Sequence, residues 1–418
     1  MTNINGQTSR IILLLGGNGL GQLLTIAATP VLAHLYSPAD FGLLASIVST
    51  VSLSAVIVHG RYHMAIAVSQ DDDEAIALFT LATLLSIVLS PGVVLLISYL
   101  AGRSAGDADF PQFVMIATTL TMLVASIDVF AYWRSRQLRF KASAQNAIVR
   151  AGVTAAAQIG FSPANSIGLV GGTIAGAVTA LALSIRDVAR FDAEYLTWPS
   201  WGRIIAAAKY HAGYPLFGMP QGLIAAISWN AFPLLLLNFS GDEVAGQYWM
   251  AYRLLVAPIG LFNAAYRQAT LPTMGLGDRS GAIRIARQHS IVLLLAAAIA
   301  AAIVFFFGET LFAVLFGEKW KQAGAIAAWL GIGLTADVAK IPAMCLLQSR
   351  ANHRSILVWE AVIAIARYSG ALIYLSRGDV IVAVAIFSLV GFMGWVSFAA
   401  YHLFGTAKHE IGEARLES

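Results

Sequence analysis

Residues 291–307 read IVLLLAAAIAAAIVFFF, seventeen positions with no charge, no proline and no glycine. A transmembrane β-strand needs only about ten residues and alternates apolar with polar positions. An unbroken run of this length has the form of a membrane helix, and the rest of the chain agrees. Of 418 residues, 58% are hydrophobic and 11% are charged, against about 25% charged in a typical soluble domain. Mean hydropathy is +0.74. So few charges cannot form the polar shell of a soluble fold this long. An ordinary cytosolic enzyme, a secreted disulfide scaffold and a disordered protein are excluded, leaving a polytopic, all-α integral membrane protein.

Twelve stretches approach the roughly 20 apolar residues that cross a bilayer. They run near 11–35, 39–59, 75–100, 111–132, 145–161, 166–186, 212–238, 243–266, 288–316, 322–348, 355–376 and 379–403. The fifth is the weakest, carrying Arg150 among many alanines. The first exceeds a signal-peptide core and reads as an uncleaved span. The expected organisation is two six-helix lobes, 1–186 and 212–403, around a central cavity. A cytoplasmic linker, 187–211, joins them, and a cytoplasmic tail, 404–418, follows. The stretch Thr197–Gly213, with Trp198, Trp201, Arg203 and Lys209, reads either as an interfacial helix or as a plain linker.

With the N-terminus inside, 18 of the 26 lysines and arginines fall on the cytoplasmic side and four on the other, the last four lying within spans. This bias places both termini in the cytoplasm. The net charge of +4 is spread over short loops, so no nucleic-acid partner is expected. The single cysteine, Cys345, cannot form an internal disulfide. No ligand cluster for a metal, catalytic triad or phosphate loop is present, and no cofactor is expected. The loops are too short to carry an extramembrane catalytic domain.

The halves repeat faintly. Tyr36-Ser37, Asp40 and Gly42 after span one match Phe239-Ser240, Glu243 and Gly246 after span seven. Arg61-Tyr62 and Ala65 match Tyr266-Arg267 and Ala269, the offset being 203 residues at the serines and 204 at the tyrosines. Two same-sense halves with a cavity between them are transporter architecture.

Several of these residues also resemble a known family. The stretch Leu35-Tyr36-Ser37-Pro38-Ala39-Asp40-Phe41-Gly42 is similar to the first outer loop of Wzx-type oligosaccharide flippases, members of the multidrug/oligosaccharidyl-lipid/polysaccharide exporter superfamily. So is Arg61-Tyr62-His63, followed by the acidic run Asp71–Glu74. Gly246-Gln247-Tyr248 through Arg253-Leu254-Leu255 to Pro258 is similar to the family's eighth span. His63 departs from the pattern, standing where the family often has glutamate. The resemblance implies a non-enzymatic transporter in the bacterial plasma (inner) membrane. It would carry a polyprenyl-pyrophosphate-linked oligosaccharide from the cytoplasmic to the periplasmic leaflet by alternating access, for polysaccharide (lipopolysaccharide O-antigen) biosynthesis. Its partners would be that lipid, membrane lipids and other polysaccharide assembly proteins. A drug/cation antiporter of the same superfamily is the second reading, and a membrane glycan polymerase or ligase the third.

Ionisable residues inside spans are costly and usually functional. Here they are Asp128, Arg150, Arg253, Asp337, Lys340, Glu360 and Arg367. Arg253 is placed to face a cavity and the substrate's anionic headgroup, since a guanidinium suits a pyrophosphate. The bland alternative is a structural bond to carbonyls of a proline-broken helix. Arg367 and Glu360, seven apart on span eleven, are about 10.5 Å apart along the axis and each needs another helix. Asp337 and Lys340, three apart, read first as a local ion pair. Asp128 and Arg150 read as an interhelical pair or a rim position rather than a substrate contact, and any of the carboxylates could carry a coupling proton. Among uncharged residues, Asn18, Gln22, Asn230 and Tyr252 are candidate sugar contacts. Gly17-Asn18-Gly19-Leu20-Gly21 reads as helix packing rather than a nucleotide loop.

Overall fold

The computed structural model of the chain describes residues 4–69, 71–103, 109–195, 198–274, 279–349 and 353–405, with side chains in the first helix from Gly19 onward. The described residues are helical almost throughout and contain no strand. The long helices are α1 (Ile4–Leu35), α2 (Pro38–Val58), α4 (Asp72–Leu100), α5 (Phe110–Arg136), α6 (Phe140–Gly160), α7 (Asn165–Phe191), α9 (Met219–Met274), α10 (Arg279–Phe316), α11 (Lys321–Ala339), α13 (His353–Leu375) and α14 (Val380–Ala400). Shorter ones are α3 (Tyr62–Ile66), α8 (Trp201–Tyr210) and α12 (Ile341–Ser349). Nine stretches of the described residues are long and apolar enough to cross a membrane. One of them, Tyr214–Asn263, is 50 residues long, enough for two crossings.

Spans seven and eight run together as α9 but are two helices, as the sequence reading has them, meeting at Gly241, where φ 83° and ψ 177° lie outside helical space. Only glycine adopts that backbone freely. The tenth stretch is one span made of α11 and α12, bent at Lys340, whose own backbone stays helical. Pro342 explains the bend, because it has no N–H to offer the carbonyl four residues earlier.

The chain divides into two compact units, residues 1–246 and 247–418. In the first, α1 packs on α6 and α6 on α7, while α2 packs on α4 and α5. Small residues permit this closeness. A Cβ added at Gly172 would sit 2.4 Å from Gln158 Cγ, and one at Gly176 would sit 1.9 Å from Thr154 Oγ1. In the second unit α10 pairs with α11, and α14 packs on both α11 and α13. Here α11 is the inner helix, with Ala323, Ile326 and Ala327 fully buried and Trp320 just ahead of it equally so. By contrast α10 turns Val292 (63% exposed), Ile299 (66%) and Phe306 (76%) outward. Apolar side chains facing out and small ones facing in match a hydrocarbon surround.

The Tyr36–Gly42 stretch is a structural joint. Ser37 caps α2, its Oγ accepting from the Asp40 N–H while Asp40 accepts from the Ser37 N–H, a capping box with Pro38 at the first turn. The Tyr36 hydroxyl donates to the Gln158 carbonyl at 2.5 Å. Gly42 lies against the Asp242 backbone and Gly246 against that of Pro38, where an added Cβ would come within 1.9 Å and 1.8 Å of the respective carbonyl oxygens. Both contacts are backbone to backbone, so neither can yield by rotating a side chain. Replacing Gly246 by valine should therefore destabilise the protein by about 1–3 kcal/mol, as overpacking does. This is measurable as a lower melting temperature in detergent; an unchanged temperature would contradict the contact.

Candidate functional site

In the second unit the intramembrane charges gather around the α11–α12 bend. Lys340 stands at the bend, and its ammonium contacts Asp337 Oδ1 at 2.5 Å. The same ammonium lies 3.3 Å from the centroid of the Trp395 ring on α14, a cation–π contact. Glu360 on α13 is close enough to feel the charge of Lys340. Arg367, one helical stretch along α13, is only 8% exposed. Its guanidinium stacks over Phe387 at 3.7 Å, and its Nε is buried without a hydrogen-bond partner. Gly391 makes room for it, since an added Cβ would meet Arg367 Cζ at 3.4 Å. Tyr248 and Tyr252 stack one turn apart on α9, centroids 5.8 Å apart, and both lie within electrostatic reach of Arg367 and Tyr368. The unit thus holds one buried network of alternating sign rather than isolated charges.

Arg253 stands outside that network. It is half-buried on α9, and among the described residues it has no carboxylate within ion-pair reach and no hydrogen-bond acceptor. It lies within the apolar stretch 243–266 read as a membrane span.

In the first unit a second polar group forms where α2 ends. Gly60 and Arg61 both have left-handed backbones, φ 54° and 61°. For arginine such a backbone costs on the order of 1–3 kcal/mol. The turn aims the Arg61 guanidinium at α9, against Gly222, where an added Cβ would fall 1.6 Å from Nη2. Tyr62 donates its hydroxyl to the Ala208 carbonyl of α8 at 3.3 Å. His63 is 4% exposed, with its ring 3.8 Å from that of His59 and 4.8 Å from that of Tyr132. Asp128 and Arg150, on α5 and α6, interact electrostatically with each other, and Asp128 also with Arg61, without a direct ion pair. The acidic run is spent on basic neighbours: Asp72 on Arg136 and Asp73 on Arg203, both at 2.7 Å, and Glu74 on His211 at 3.1 Å.

Other sequence candidates do other things. The Asn230 amide donates to the Ala226 carbonyl of its own helix at 3.0 Å. Gln22 is exposed on α1, and the side chain of Asn18 lies outside the described residues. Sequence reading passed over His59, Tyr132, Gly222, Tyr368, Phe387 and Trp395. Only His59, four positions before His63, had a signal in its spacing.

His63 lies outside the spans, and burial, reinforced by the Arg61 cation, pushes its pKa down to about 3. The folded protein thus holds it neutral while the unfolded chain takes up a proton below about pH 6.5. The unfolded state then binds more protons, so stability falls with falling pH. Melting curves should be flat from pH 8 to 7. Below 6.5 this one residue should remove about 1.4 kcal/mol per pH unit until its folded pKa is reached. His63→Asn should reduce that slope without abolishing it, because the buried His59 beside it keeps its own share; an equal slope in the variant would show that His63 does not contribute to it.

With fold and charges placed, known proteins can be compared. Residues 31–325 match the family described as polysaccharide biosynthesis protein. None of the curated proteins matches the sequence. Among solved structures, the lipid II flippase MurJ in an inward closed conformation is similar over 93% of this chain and 87% of that one, with a TM-score of 0.71 and 12% identity. An inward-facing multidrug-resistance MATE transporter of the MOP superfamily is similar over 93% and 98%, with a TM-score of 0.61 and 14% identity. The MATE transporter DinF-BH in complex with R6G is similar over 96% and 97%, with a TM-score of 0.60 and 16% identity. At these identities the structures speak for the fold, and the family match covers well over half the chain. The chain therefore belongs to the polysaccharide biosynthesis protein family, and it shares the fold of these flippase and MATE transporter structures.

Proposed function

We propose that this protein flips a polyprenyl-pyrophosphate-linked oligosaccharide from the cytoplasmic to the periplasmic leaflet of a bacterial inner membrane, by alternating access and with both termini in the cytoplasm. The observation that carries the reading is Arg253. An arginine near mid-span costs about 2.5–3.5 kcal/mol on insertion scales. Every other cation within a span has a compensating neighbour: Lys340 has Asp337, Arg150 lies near Asp128, and Arg367 stacks on Phe387. Arg253 has none among the described residues. A cation left free at that depth suits a ligand that brings its own anion, and the planar fork of arginine matches a pyrophosphate bidentately. A cationic drug would meet repulsion there, which weighs against the antiporter reading.

The orientation rests on the loop cations, 18 against four. Arg103 and Arg377 belong to the sparse side, which is periplasmic in this reading. The amphipathic helix α8 fits the cytoplasmic interface. It exposes Trp201 (62%) and Ile205 (52%), with Trp198 (65%) just ahead, while Arg203 and His211 hold it to the acidic start of α4. Membrane lipids, and other polysaccharide assembly proteins that supply and consume the substrate, are the partners this reading expects.

A strain lacking the gene should accumulate lipid-linked oligosaccharide on the cytoplasmic side and lose surface polysaccharide. Arg253→Ala and Arg253→Lys, expressed at the normal level, should each restore less than a tenth of the wild-type polysaccharide, because lysine keeps the charge but not the fork. Full restoration by either variant would remove Arg253 from headgroup recognition. Normal polysaccharide in the deletion strain would defeat the flippase reading itself.

A further inference from the structure

The bend at Lys340 is built from parts that each attract a positive charge, drawn from α11, α13 and α14. Asp337 supplies a carboxylate and is only 5% exposed. Helix α11 ends at Ala339, and the last carbonyls of a helix carry partial negative charge. Pro342 adds to this, because it gives the Val338 carbonyl no N–H at the usual spacing. From α14 comes the face of the buried Trp395 ring. From α13 comes the field of Glu360, which reaches the same point. Arg367, the like charge within electrostatic reach, lies over the Phe387 ring.

The centre of this cage is filled by the chain itself. The Lys340 ammonium sits 2.5 Å from Asp337 Oδ1 and 3.3 Å from the Trp395 ring centroid. A local pair three residues apart needs neither the ring nor Glu360. Nor does the fold need the charges, because replacing a buried ion pair by apolar side chains is often neutral or stabilising. The ring decides which cation suits the cage. Divalent ions such as calcium and magnesium take about six or more oxygen ligands, and a ring face offers none. An ammonium group, by contrast, is attracted to the face of an indole.

We propose that this bend is a binding site for a monovalent, ammonium-type cation, and that Lys340 occupies it as a tethered ligand. The charge network of the second unit is then complete without an ion from solution. Cutting the lysine side chain back to Cβ uncovers the site for a free alkylammonium ion. The proposal stands apart from the flippase reading, since it concerns what neutralises Asp337 and not what the protein carries.

The test uses the full-length protein in detergent at neutral pH. Methylammonium chloride is the probe and sodium chloride at equal concentration the comparison, read as melting temperature. The wild-type protein should melt alike in both salts. Lys340→Ala should melt more than about 5 °C lower in sodium, because it strands a buried carboxylate. Methylammonium should recover more than half of that loss, saturably, and adding Asp337→Asn should abolish the recovery. An undiminished melting temperature in Lys340→Ala would overturn the proposal. So would equal recovery in the two salts, the mark of a general salt effect, or a loss that methylammonium does not reverse, the mark of a plain structural pair. Stabilisation of the wild type by methylammonium over sodium would show that Lys340 does not fill the site, and would overturn it too. Where Lys340→Ala fails to accumulate, growth with methylamine, which crosses membranes uncharged, should restore the folded protein recovered by gel filtration. An unrestored yield would equally sink the proposal.

Discussion

Hydrocarbon offers no hydrogen bonds, and every other feature of this protein follows from that. Each backbone N–H and C=O within the bilayer must be satisfied inside the chain, which selects helices. Association between those helices then draws little on the hydrophobic effect, because lipid is as apolar as leucine. It relies on closeness instead. Gly172 and Gly176 admit α6 against α7, Gly308 and Gly324 bring α10 onto α11, and Gly42 and Gly246 bring α2 onto the second half of α9.

The same constraint sorts the charges. A charge in the membrane must find a counter-charge, a ring face or a wet site. Lys340 finds both Asp337 and Trp395, and Arg367 takes the Phe387 face. The bend at Lys340 falls at the Lys340–Asp337 pair, consistent with irregular backbone being tolerated where it serves a polar site. Arg253, the cation left over, is informative because its neighbours are so well compensated. The first unit solves the problem differently. Its Arg61 is turned inward by a left-handed backbone against Gly222, with neutral histidines beside it.

Much of this was legible in the residues. The seventeen-residue run at 291–307 announced a membrane helix, and it lies in the middle of α10. The i, i+3 spacing of Asp337 and Lys340 announced their contact, because such a pair shares a helix face whatever surrounds it. The Ser37–Asp40 capping box was equally local. The bend at Lys340 was harder to read, because hydropathy runs smoothly across Pro342, whereas the polar run around Gly241 already separated spans seven and eight.

What the sequence determined by itself was the solvent of each segment and the contacts that stay within one turn of helix, since both depend only on nearby residues. What only the tertiary structure decided was which charge has a partner. Arg253, Arg150 and Arg367 look alike along the chain, each a lone cation in an apolar stretch. Their differences come from α5, α14 and the other helices that happen to face them, tens to hundreds of residues away in sequence.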